Sequence, residues 1–312
     1  MRYFPYSQYL KEAYGEKVYK IPVNIDATCP NRDGRVGIGG CIFCGEKGAG
    51  FENLSNEFSV TRQLKENMEY IGKKYGAKKF IAYFQNFTNT YIPLDDLYRF
   101  SNEAASIPGI VELCFSTRPD CIPDTYLMKL KEISEEKQMA ITIELGLQTA
   151  NYHTLVTINR GHGLGEFIDS VLRIKKFGFK TCAHVILNLP WDDDLDSMET
   201  AKIISALHVD FVKLHSLYIE KGTELCRMYE KGDLKLITLE EYVDRTVVFL
   251  EHLSEDIAIQ RLAARAPQEV TVFCNWDTSW WKIKDRIEER LEEKDTRQGS
   301  KTDYLGGMEY GK

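Results

Sequence analysis

Short runs of β-forming residues alternate with longer helix-patterned segments through the first two thirds of this chain of 312 residues. Six runs are typical of strands, from KIPVNID near residue 20 to DFVKLHSLYI near residue 210, and segments such as SVTRQLKENMEYIGKKYG separate them. This alternation indicates parallel strands joined by helical crossovers. Six repeats are too few for the usual eight-stranded barrel, so the sequence predicts an α/β fold with an open or partial (β/α)6 barrel.

Polar and unusual residues follow the ends of these predicted strands. Cys29 comes after the first strand, QNFTNT after the second, STRPD after the third, LQT after the fourth and NLP after the fifth. The carboxyl ends of parallel strands meet at one edge of a sheet, and binding sites of such folds lie there. The sequence therefore predicts a functional site at this edge.

The repeat stops at about residue 220, after which two helices are expected to flank an irregular piece, QRLAARAPQEVTVFCNW. We therefore divide the chain into a partial barrel with its N-terminal segment, over residues 1–220, and a C-terminal extension that packs on it, over 221–312. The extension is expected to hold helices around 239–253 and 281–294. Its last stretch is polar and glycine-rich and is expected to be flexible.

The charge balance restricts how the chain can bind a polyanion. Its net charge of -7 argues against binding through the whole surface, although a local basic face remains possible. Residues 1–20 interleave Arg2, Lys11, Lys17 and Lys20 with aromatic rings, which could contact RNA phosphates and bases. The same pattern also fits an amphipathic segment packed on the barrel, and the sequence leaves both interpretations open.

Composition also indicates the compartment. No stretch approaches the roughly 18 apolar residues of a membrane span, and the start lacks the apolar core of a secretory signal, so we expect a cytoplasmic protein without a membrane partner. Eight unevenly spaced cysteines suit a reducing compartment, and disulfides are not expected. Five of these cysteines form no second C-x-x-C pair and are expected to pack in the core rather than to bind an auxiliary cluster: Cys114, Cys121, Cys182, Cys226 and Cys274.

The other three cysteines lie in the glycine-rich stretch CPNRDGRVGIGGCIFC as Cys29, Cys41 and Cys44. A C-x-x-C pair lets two sulfurs bind one metal centre from a single turn. A closed zinc site needs a fourth ligand, and no histidine precedes His153. Three thiolates on a cuboidal iron–sulfur cluster leave one iron open to bind another molecule. A zinc knuckle and three packing thiols are the alternatives.

Six motifs follow one another along the chain: CPNRDG with GGCIFC, YFQNFTNTY, STRPDCIPD, LGLQT, INRGH and CAHVILNLP. Over about residues 2 to 270 the chain resembles the radical S-adenosylmethionine (SAM) superfamily, in the branch related to the catalytic subunit of Elongator, and within it the YhcC/YtqA family. The eleven residues between the first two cysteines exceed the superfamily's usual three, as they do in that branch. The resemblance implies a radical-SAM partial barrel whose three cysteines hold a 4Fe-4S cluster. It also implies SAM on the open iron, cleaved to a 5′-deoxyadenosyl radical.

The resemblance further implies residues that hold SAM. Gln148 and Arg160 stand at the interval at which similar enzymes place a glutamine and an arginine for this cofactor, and the arginine fork suits a carboxylate. Arg160 could instead be a surface charge at a helix end. The other candidates at strand ends are Gln85, Asn86, Ser116, Arg118, Glu144, Asn188 and His215. No catalytic side chain is identified beyond these.

Several candidates also have a structural interpretation. Glu144 needs a partner, such as Arg118 or a ribose hydroxyl, and could form a buried ion pair. His215 could be a hydrogen-bonded core residue, and Gln85 could cap a loop. Asn188 begins the sequence NLPW, where the family usually has GLPG. Ser116 and Arg118 occupy the place of an acidic cofactor ligand in some relatives, so their roles stay open.

The substrate is implied by the resemblance alone. It implies removal of the carboxymethyl group from 5-carboxymethylaminomethyluridine at the tRNA wobble position, which leaves 5-aminomethyluridine. The implied partners are tRNA, an electron donor such as flavodoxin or ferredoxin, and a downstream tRNA methyltransferase. Basic residues of the N-terminal segment, Gln260–Leu262 and Arg265 favour RNA. A radical enzyme for a small molecule or peptide, and a metal-bound scaffold without catalysis, are the alternatives.

Overall fold

In the computed structural model, which describes residues 1–45, 48 and 50–307, seven parallel strands form one sheet in the order β1-β2-β3-β4-β5-β6-β8. The strands are β1 (Val18–Val23), β2 (Lys79–Phe84), β3 (Ile110–Thr117), β4 (Ala140–Gln148), β5 (Lys180–Ile186), β6 (Phe211–His215), β7 (Tyr218–Glu220), β8 (Ala258–Arg261) and β9 (Thr271–Cys274). Strands β7 and β9 form a separate antiparallel pair. The first six strands of the large sheet are those that the sequence predicts.

Helices cover the outer face of this sheet and continue into the C-terminal part. They are α1 (Tyr6–Tyr14), α2 (Val60–Tyr75), α3 (Leu94–Ala105), α4 (Asp124–Lys137), α5 (Tyr152–Thr157), α6 (Leu164–Lys176), α7 (Asp194–Ala206), α8 (Glu224–Glu230), α9 (Leu239–His252) and α10 (Trp280–Glu293). The expected C-terminal helices are confirmed as α9 and α10. None of the helices in the described ranges is long and apolar enough to cross a membrane.

The sheet curls into a partial barrel, as predicted. Lys20 Nζ on β1 donates to Gln260 Oε1 on β8 at 3.0 Å, although these strands are the two edges of the sheet. Lys213 Nζ on β6 likewise donates to the Tyr83 hydroxyl on β2 at 3.0 Å. A flat sheet would hold these side chains far apart, because neighbouring strands lie about 4.8 Å from each other. The seventh strand, β8, comes from the part of the chain that we expected to be an extension.

Helix α1 fills the gap between the two edge strands. It contacts both β1 and β8, and Pro5 before it pairs with Ile259 of β8. Tyr6 and Leu10 are buried against the inward faces of the strands, and the Tyr6 ring meets Phe211 edge-on with centroids 5.0 Å apart. The aromatic N-terminal segment therefore packs on the barrel, as its amphipathic interpretation requires.

Two of the four cations of this segment, Arg2 and Lys20, are engaged by other side chains. Arg2 forms an ion pair with Glu292, in the last turn of α10, at 3.0 Å. It also donates to Asp295, which follows that helix, at 2.9 Å. Lys20 lies inside the barrel. Of the four basic residues that we considered for RNA, Lys11 and Lys17 are the exposed ones.

The C-terminal tail is anchored as far as residue 304. Gly299 N donates to Leu250 O at 3.1 Å, and the Tyr304 hydroxyl donates to His252 O at 2.5 Å, so residues up to 304 pack along α9. Hydrogen bonds of the backbone and of Tyr304 hold this part of the tail in place although its composition is polar. The end of the predicted flexible stretch, residues 308–312, lies outside the described residues.

Replacing Leu10 on the buried face of α1 tests this packing. We expect Leu10→Ala to lower the free energy of unfolding by about 2–4 kcal/mol, because the truncated side chain leaves a cavity inside the barrel. Lys11→Ala, at an exposed position of the same helix, should change it by less than about 0.5 kcal/mol. Urea denaturation measures both, and equal effects of the two changes would contradict the placement of α1.

Candidate functional site

The three cysteines lie in the loop between β1 and α2. Arg32 N donates to Cys29 O at 2.8 Å and Cys44 N donates to Cys41 O at 3.0 Å, so both cysteine segments form tight turns. Cys41 is buried, Cys29 and Cys44 are half-buried, and all three thiols are free. Burial, followed by the nearby thiols of Cys41 and Cys29, raises the pKa of Cys44. Three sulfurs from one loop are thus available near one another.

Nitrogen donors surround these sulfurs. Arg32 Nη2 lies 3.2 Å from Cys44 Sγ, Arg160 Nη1 lies 3.5 Å from Cys41 Sγ, and Asn31 Nδ2 lies 3.7 Å from the same sulfur. Cationic and amide donors stabilise negative charge on sulfur. The donor set therefore fits an anionic thiolate cluster, and it fits three packing thiols poorly.

Asn31 ties the cysteine loop to the segment after α5, and sequence reasoning missed it. Its Nδ2 donates to Asn159 O at 2.6 Å, and Asn159 Nδ2 donates back to Gly40 O at 2.8 Å. A Cβ atom at Gly37 would lie 2.3 Å from Asn31 Oδ1, and one at Gly161 would lie 2.8 Å from it. Glycine at both positions therefore makes room for this amide. The glycines beside the motif CPNRDG were the available signal.

Gln148 and Arg160, the pair that the family resemblance implies, approach each other at Gly146 in β4. A Cβ atom at Gly146 would lie 2.6 Å from Arg160 Nη2 and 2.9 Å from Gln148 Nε2, so only glycine admits both side chains. Gln148 has φ 76°, and the pairing with β5 shifts between it and Gly146. Such an irregularity redirects a side chain at the end of a strand. Arg160 is 7% exposed, which excludes the surface-charge interpretation.

Buried polar atoms without hydrogen bonds among the described residues collect at this edge. They include Arg160 Nε, Asn188 Nδ2 and Asn86 Oδ1. Asn188 Oδ1 accepts from Leu217 N at 2.6 Å, and Gln85 Nε2 donates to Asn53 at 2.6 Å, so these candidates are positioned by the loops. Unpaired buried groups are costly. A polar ligand such as SAM would satisfy them, so the residues fit this cofactor.

Arg118 has a structural role. Its guanidinium donates to both carboxylate oxygens of Asp120, at 2.9 and 2.7 Å, and to Arg160 O at 2.8 Å. Arg118 is therefore not the partner of Glu144 that we considered, and it holds the backbone of Arg160 instead. The carbonyl oxygen of Ser116 accepts from Asn89 Nδ2 at 2.9 Å and fixes the polar turn after β2.

Glu144 lies inside the barrel in an ionic cluster, whose partners sequence reasoning did not identify. It pairs with Lys20, with His184 Nε2 at 2.8 Å and with Lys213 Nζ at 3.1 Å. Burial by itself raises the pKa of this carboxyl, but Lys20, Lys213 and His184 outweigh it and hold the pKa well below its usual range. The buried ion pair is thus the interpretation that the contacts support. Lys20 and Lys213, which both lie within predicted strands, were the signal for this cluster in the sequence.

His215 accepts a hydrogen bond inside the barrel. Arg261 Nη2 lies 2.7 Å from His215 Nδ1. Burial and then the positive charge of Arg261 hold the pKa of His215 well below its usual range, so the imidazole is neutral at neutral pH. The predicted candidate is therefore a hydrogen-bonded residue of the barrel wall.

Comparison with known proteins identifies related sequences. Residues 28–203 match the model of the Radical SAM superfamily, and residues 209–293 match that of the Radical_SAM C-terminal domain. The uncharacterized protein YtqA of Bacillus subtilis is 33% identical over 298 residues, covering 96% of this chain and 92% of YtqA. A tRNA uridine(34) acetyltransferase of Methanocaldococcus jannaschii is 30% identical over 138 residues, covering 43% of this chain and 24% of that protein.

A solved structure shares the fold. The archaeal Elp3 of Methanocaldococcus infernus, with an N-terminal deletion, superposes with a TM-score of 0.68 at 18% identity over 90% of this chain. The chain spans 64% of the length of that structure. Members of the matched superfamily bind a 4Fe-4S cluster and SAM. The thiols of the cysteine loop, and the amide and guanidinium of Gln148 and Arg160, have the chemistry that these two groups require.

Replacing Glu144 tests the ionic cluster. We expect Glu144→Gln to lower the free energy of unfolding at pH 7 by about 3–5 kcal/mol, because two buried lysines lose their carboxylate. The folded-state pKa of Glu144 is depressed, so its stabilisation is present above the unfolded value near ~4.3 and is lost as the pH falls further. The gap between wild type and variant should therefore narrow below about pH 4.5.

Urea denaturation at several pH values measures this gap. Glu135→Gln, at an exposed site on α4, serves as the control and should change stability by less than about 0.5 kcal/mol. A gap between wild type and Glu144→Gln that stays constant down to pH 3 would contradict the ionised cluster.

Replacing a loop cysteine tests the cluster ligands. After anaerobic reconstitution, we expect Cys41→Ala to lose iron and sulfide and to lose reductive cleavage of SAM, because one of three ligands is missing. Cys274→Ala, a half-buried cysteine of β9, should keep both. Iron and sulfide assays with product chromatography measure the difference. Full iron content and full cleavage in Cys41→Ala would show that Cys41 is not a ligand.

Proposed function

Because this chain belongs to the radical SAM superfamily and, within it, to the YhcC/YtqA family, we propose that it modifies the wobble uridine of tRNA. The reaction proposed is the removal of the carboxymethyl group from 5-carboxymethylaminomethyluridine, which leaves 5-aminomethyluridine. The observation that carries the tRNA substrate is the 30% identity over 138 residues to a protein named as a tRNA uridine(34) acetyltransferase.

In this proposal Cys29, Cys41 and Cys44 hold the cluster, and Gln148 and Arg160 hold SAM. When bound, the reduced cluster would supply one electron to SAM, which would release methionine and the 5′-deoxyadenosyl radical that takes a hydrogen atom from the substrate. The protein positions these groups, and polar side chains such as Glu144 and Arg118 form hydrogen bonds or ion pairs with other side chains instead of with the cofactors. Asn31 and Arg32 support the thiolates through hydrogen bonds to sulfur.

Arg160 has the environment that a carboxylate-binding residue needs. Two of its nitrogens are engaged, one at Cys41 Sγ and one at Gly146 O, while its buried Nε makes no hydrogen bond within the described ranges. Its position beside a cluster cysteine suits the carboxylate of a cofactor bound to the open iron. Arg118 fixes the Arg160 backbone and so maintains this orientation.

Gln85, Asn86 and Asn188 complete the proposed SAM site. They follow β2 and β5 at the same edge of the sheet, and Asn86 and Asn188 each have a buried polar atom with no hydrogen bond in the described part of the chain. Amide groups can donate and accept, which suits amino and hydroxyl groups of a nucleoside. Glu144 and Arg118 are already paired and are not assigned a ligand contact.

The tRNA would approach the cysteine loop and the neighbouring strand ends. The loop tip exposes Arg35 and Ile38, the latter 84% exposed, and the Arg35 guanidinium lies 6.0 Å from the Tyr91 ring. Arg265 is exposed on the segment after β8 and forms an ion pair with Glu52 at 3.5 Å. Cationic and apolar groups at one edge suit phosphates and bases. The N-terminal segment, whose rings pack on the barrel, is not part of this face.

Two further partners belong to the proposal. Reduction of the cluster requires an electron donor such as flavodoxin or ferredoxin. A cavity of about 790 Å³ beside Cys41 and Cys44 is lined by both cationic and acidic side chains, among them Arg227 and Glu224, which form an ion pair at 3.0 Å, so its charge does not select the donor. A tRNA methyltransferase would use the 5-aminomethyluridine product, since its free amine is the group to be methylated.

Nucleoside analysis tests the proposed function. A strain that lacks this protein should accumulate 5-carboxymethylaminomethyluridine, and the reconstituted enzyme with reductant and SAM should convert it in tRNA from that strain. Mass spectrometry of digested tRNA measures both, and Cys29→Ala provides the inactive control. An unaltered wobble-uridine profile in the strain, with no nucleoside change in vitro, would exclude the tRNA reaction and favour a small-molecule or peptide substrate.

A further inference from the structure

The edge strand β8 turns two consecutive side chains into the barrel. Its register with β6 shifts opposite Lys213. As a result Gln260 reaches Lys20 Nζ at 3.0 Å, while the next residue, Arg261, reaches His215 Nδ1 at 2.7 Å. In a regular strand neighbouring side chains point to opposite faces, and a bulge removes that restriction. The irregularity therefore places an additional guanidinium inside the barrel.

Among the described residues, this guanidinium forms no ion pair with a carboxylate. In residues 1–45, 48 and 50–307, Glu144 pairs with Lys20 and Lys213, and no ion pair involves Arg261. Arg261 Nε is buried without a hydrogen bond, and its contact on Nη2 is the neutral imidazole of His215. Removing a charge from water without an opposite charge is costly. Such a group fits a site that receives an anion.

Arg261 stands on the side of the barrel that faces the cysteine loop. It ends β8, beside His215 at the end of β6. Tyr218 begins β7 shortly after the end of β6, and its ring meets that of Phe51, which follows the cysteine loop in sequence, edge-on with centroids 6.1 Å apart. Arg261 is also one of the residues that line a cavity of about 280 Å³ beside α1.

We propose that Arg261, positioned by His215, binds an oxyanion of the substrate, either a carboxylate or a phosphate, inside the barrel. The carboxylate source rests on the proposed function, because the group removed in that reaction carries a carboxylate. A guanidinium fork binds either anion through two parallel hydrogen bonds. Held there, the carboxymethyl group lies on the Tyr218 side of the barrel, toward the cysteine loop, in one orientation.

The test uses two anticodon stem–loop RNAs that are identical except at the wobble position, which carries 5-carboxymethylaminomethyluridine or 5-aminomethyluridine. Wild-type holoenzyme should bind the carboxylate RNA about tenfold or more tightly than the other, as expected for one charge-assisted contact. Arg261→Gln should lose this preference, and Arg261→Lys should keep part of it, because lysine retains charge without the fork. Anaerobic equilibrium binding measures the four affinities.

Two further variants accompany this experiment. Arg99→Gln, on the outer helix α3, removes an exposed guanidinium and should keep the wild-type preference. His215→Gln removes the residue that orients Arg261 without removing its charge, and should weaken the preference severalfold. This variant keeps the inference testable should Arg261→Gln fail to fold, as judged by circular dichroism and iron content.

Each outcome distinguishes the anion site from the proposed reaction. If Arg261→Gln lowers the affinity for both RNAs by the same factor, the result would support the site with a phosphate as its ligand. Wild-type affinity for both RNAs in Arg261→Gln would overturn it, whether or not tRNA is converted. A carboxylate preference that depends on Arg261, without conversion of the nucleoside, would keep the site and exclude the proposed reaction.

Discussion

The carboxylate of Glu144 joins strands from across the barrel, and the shape of the site depends on it. Its partners Lys20, Lys213 and His184 come from β1, β6 and β5, while Glu144 itself belongs to β4. A buried carboxylate is stable only when cations and hydrogen-bond donors surround it. Lysines from β1 and β6 can both reach Glu144 on β4 only if the sheet curls. The curl in turn brings the carboxyl ends of the strands around one opening.

At that opening, short tertiary contacts convert a cysteine motif into a site. Asn31 and Asn159 join the cysteine loop to the segment after α5, and Gly146 lets Arg160 and Gln148 approach the same point. Arg118 holds the backbone of Arg160 from a third strand end. Each contact is short in space and connects segments that are far apart in sequence. The thiolates and the proposed SAM ligands are therefore positioned by the barrel as a whole.

Some features of the site could be predicted because they depend on spacing along the chain. Cys41 and Cys44 lie on one turn whatever surrounds them, whereas Gln148 and Arg160, which lie on either side of α5, were identified through the family resemblance. The partner of Arg118 was missed although Asp120 is two residues away, since a side chain chooses between near and distant partners only in the folded chain. The capture of β8 by the sheet was missed for a related reason, because four residues carry little periodic signal.

The amino-acid sequence by itself determined the parallel β/α order, the three-cysteine loop and the edge of the sheet where the site lies, because hydrophobic periodicity and motif spacing act over short stretches of chain. Only the tertiary structure decided that α1 fills the barrel gap and that the N-terminal rings pack inward. It also decided that Arg261 enters the barrel without a carboxylate partner in the described residues. These outcomes depend on which strands become the edges of the curled sheet, and that follows from the packing of distant segments.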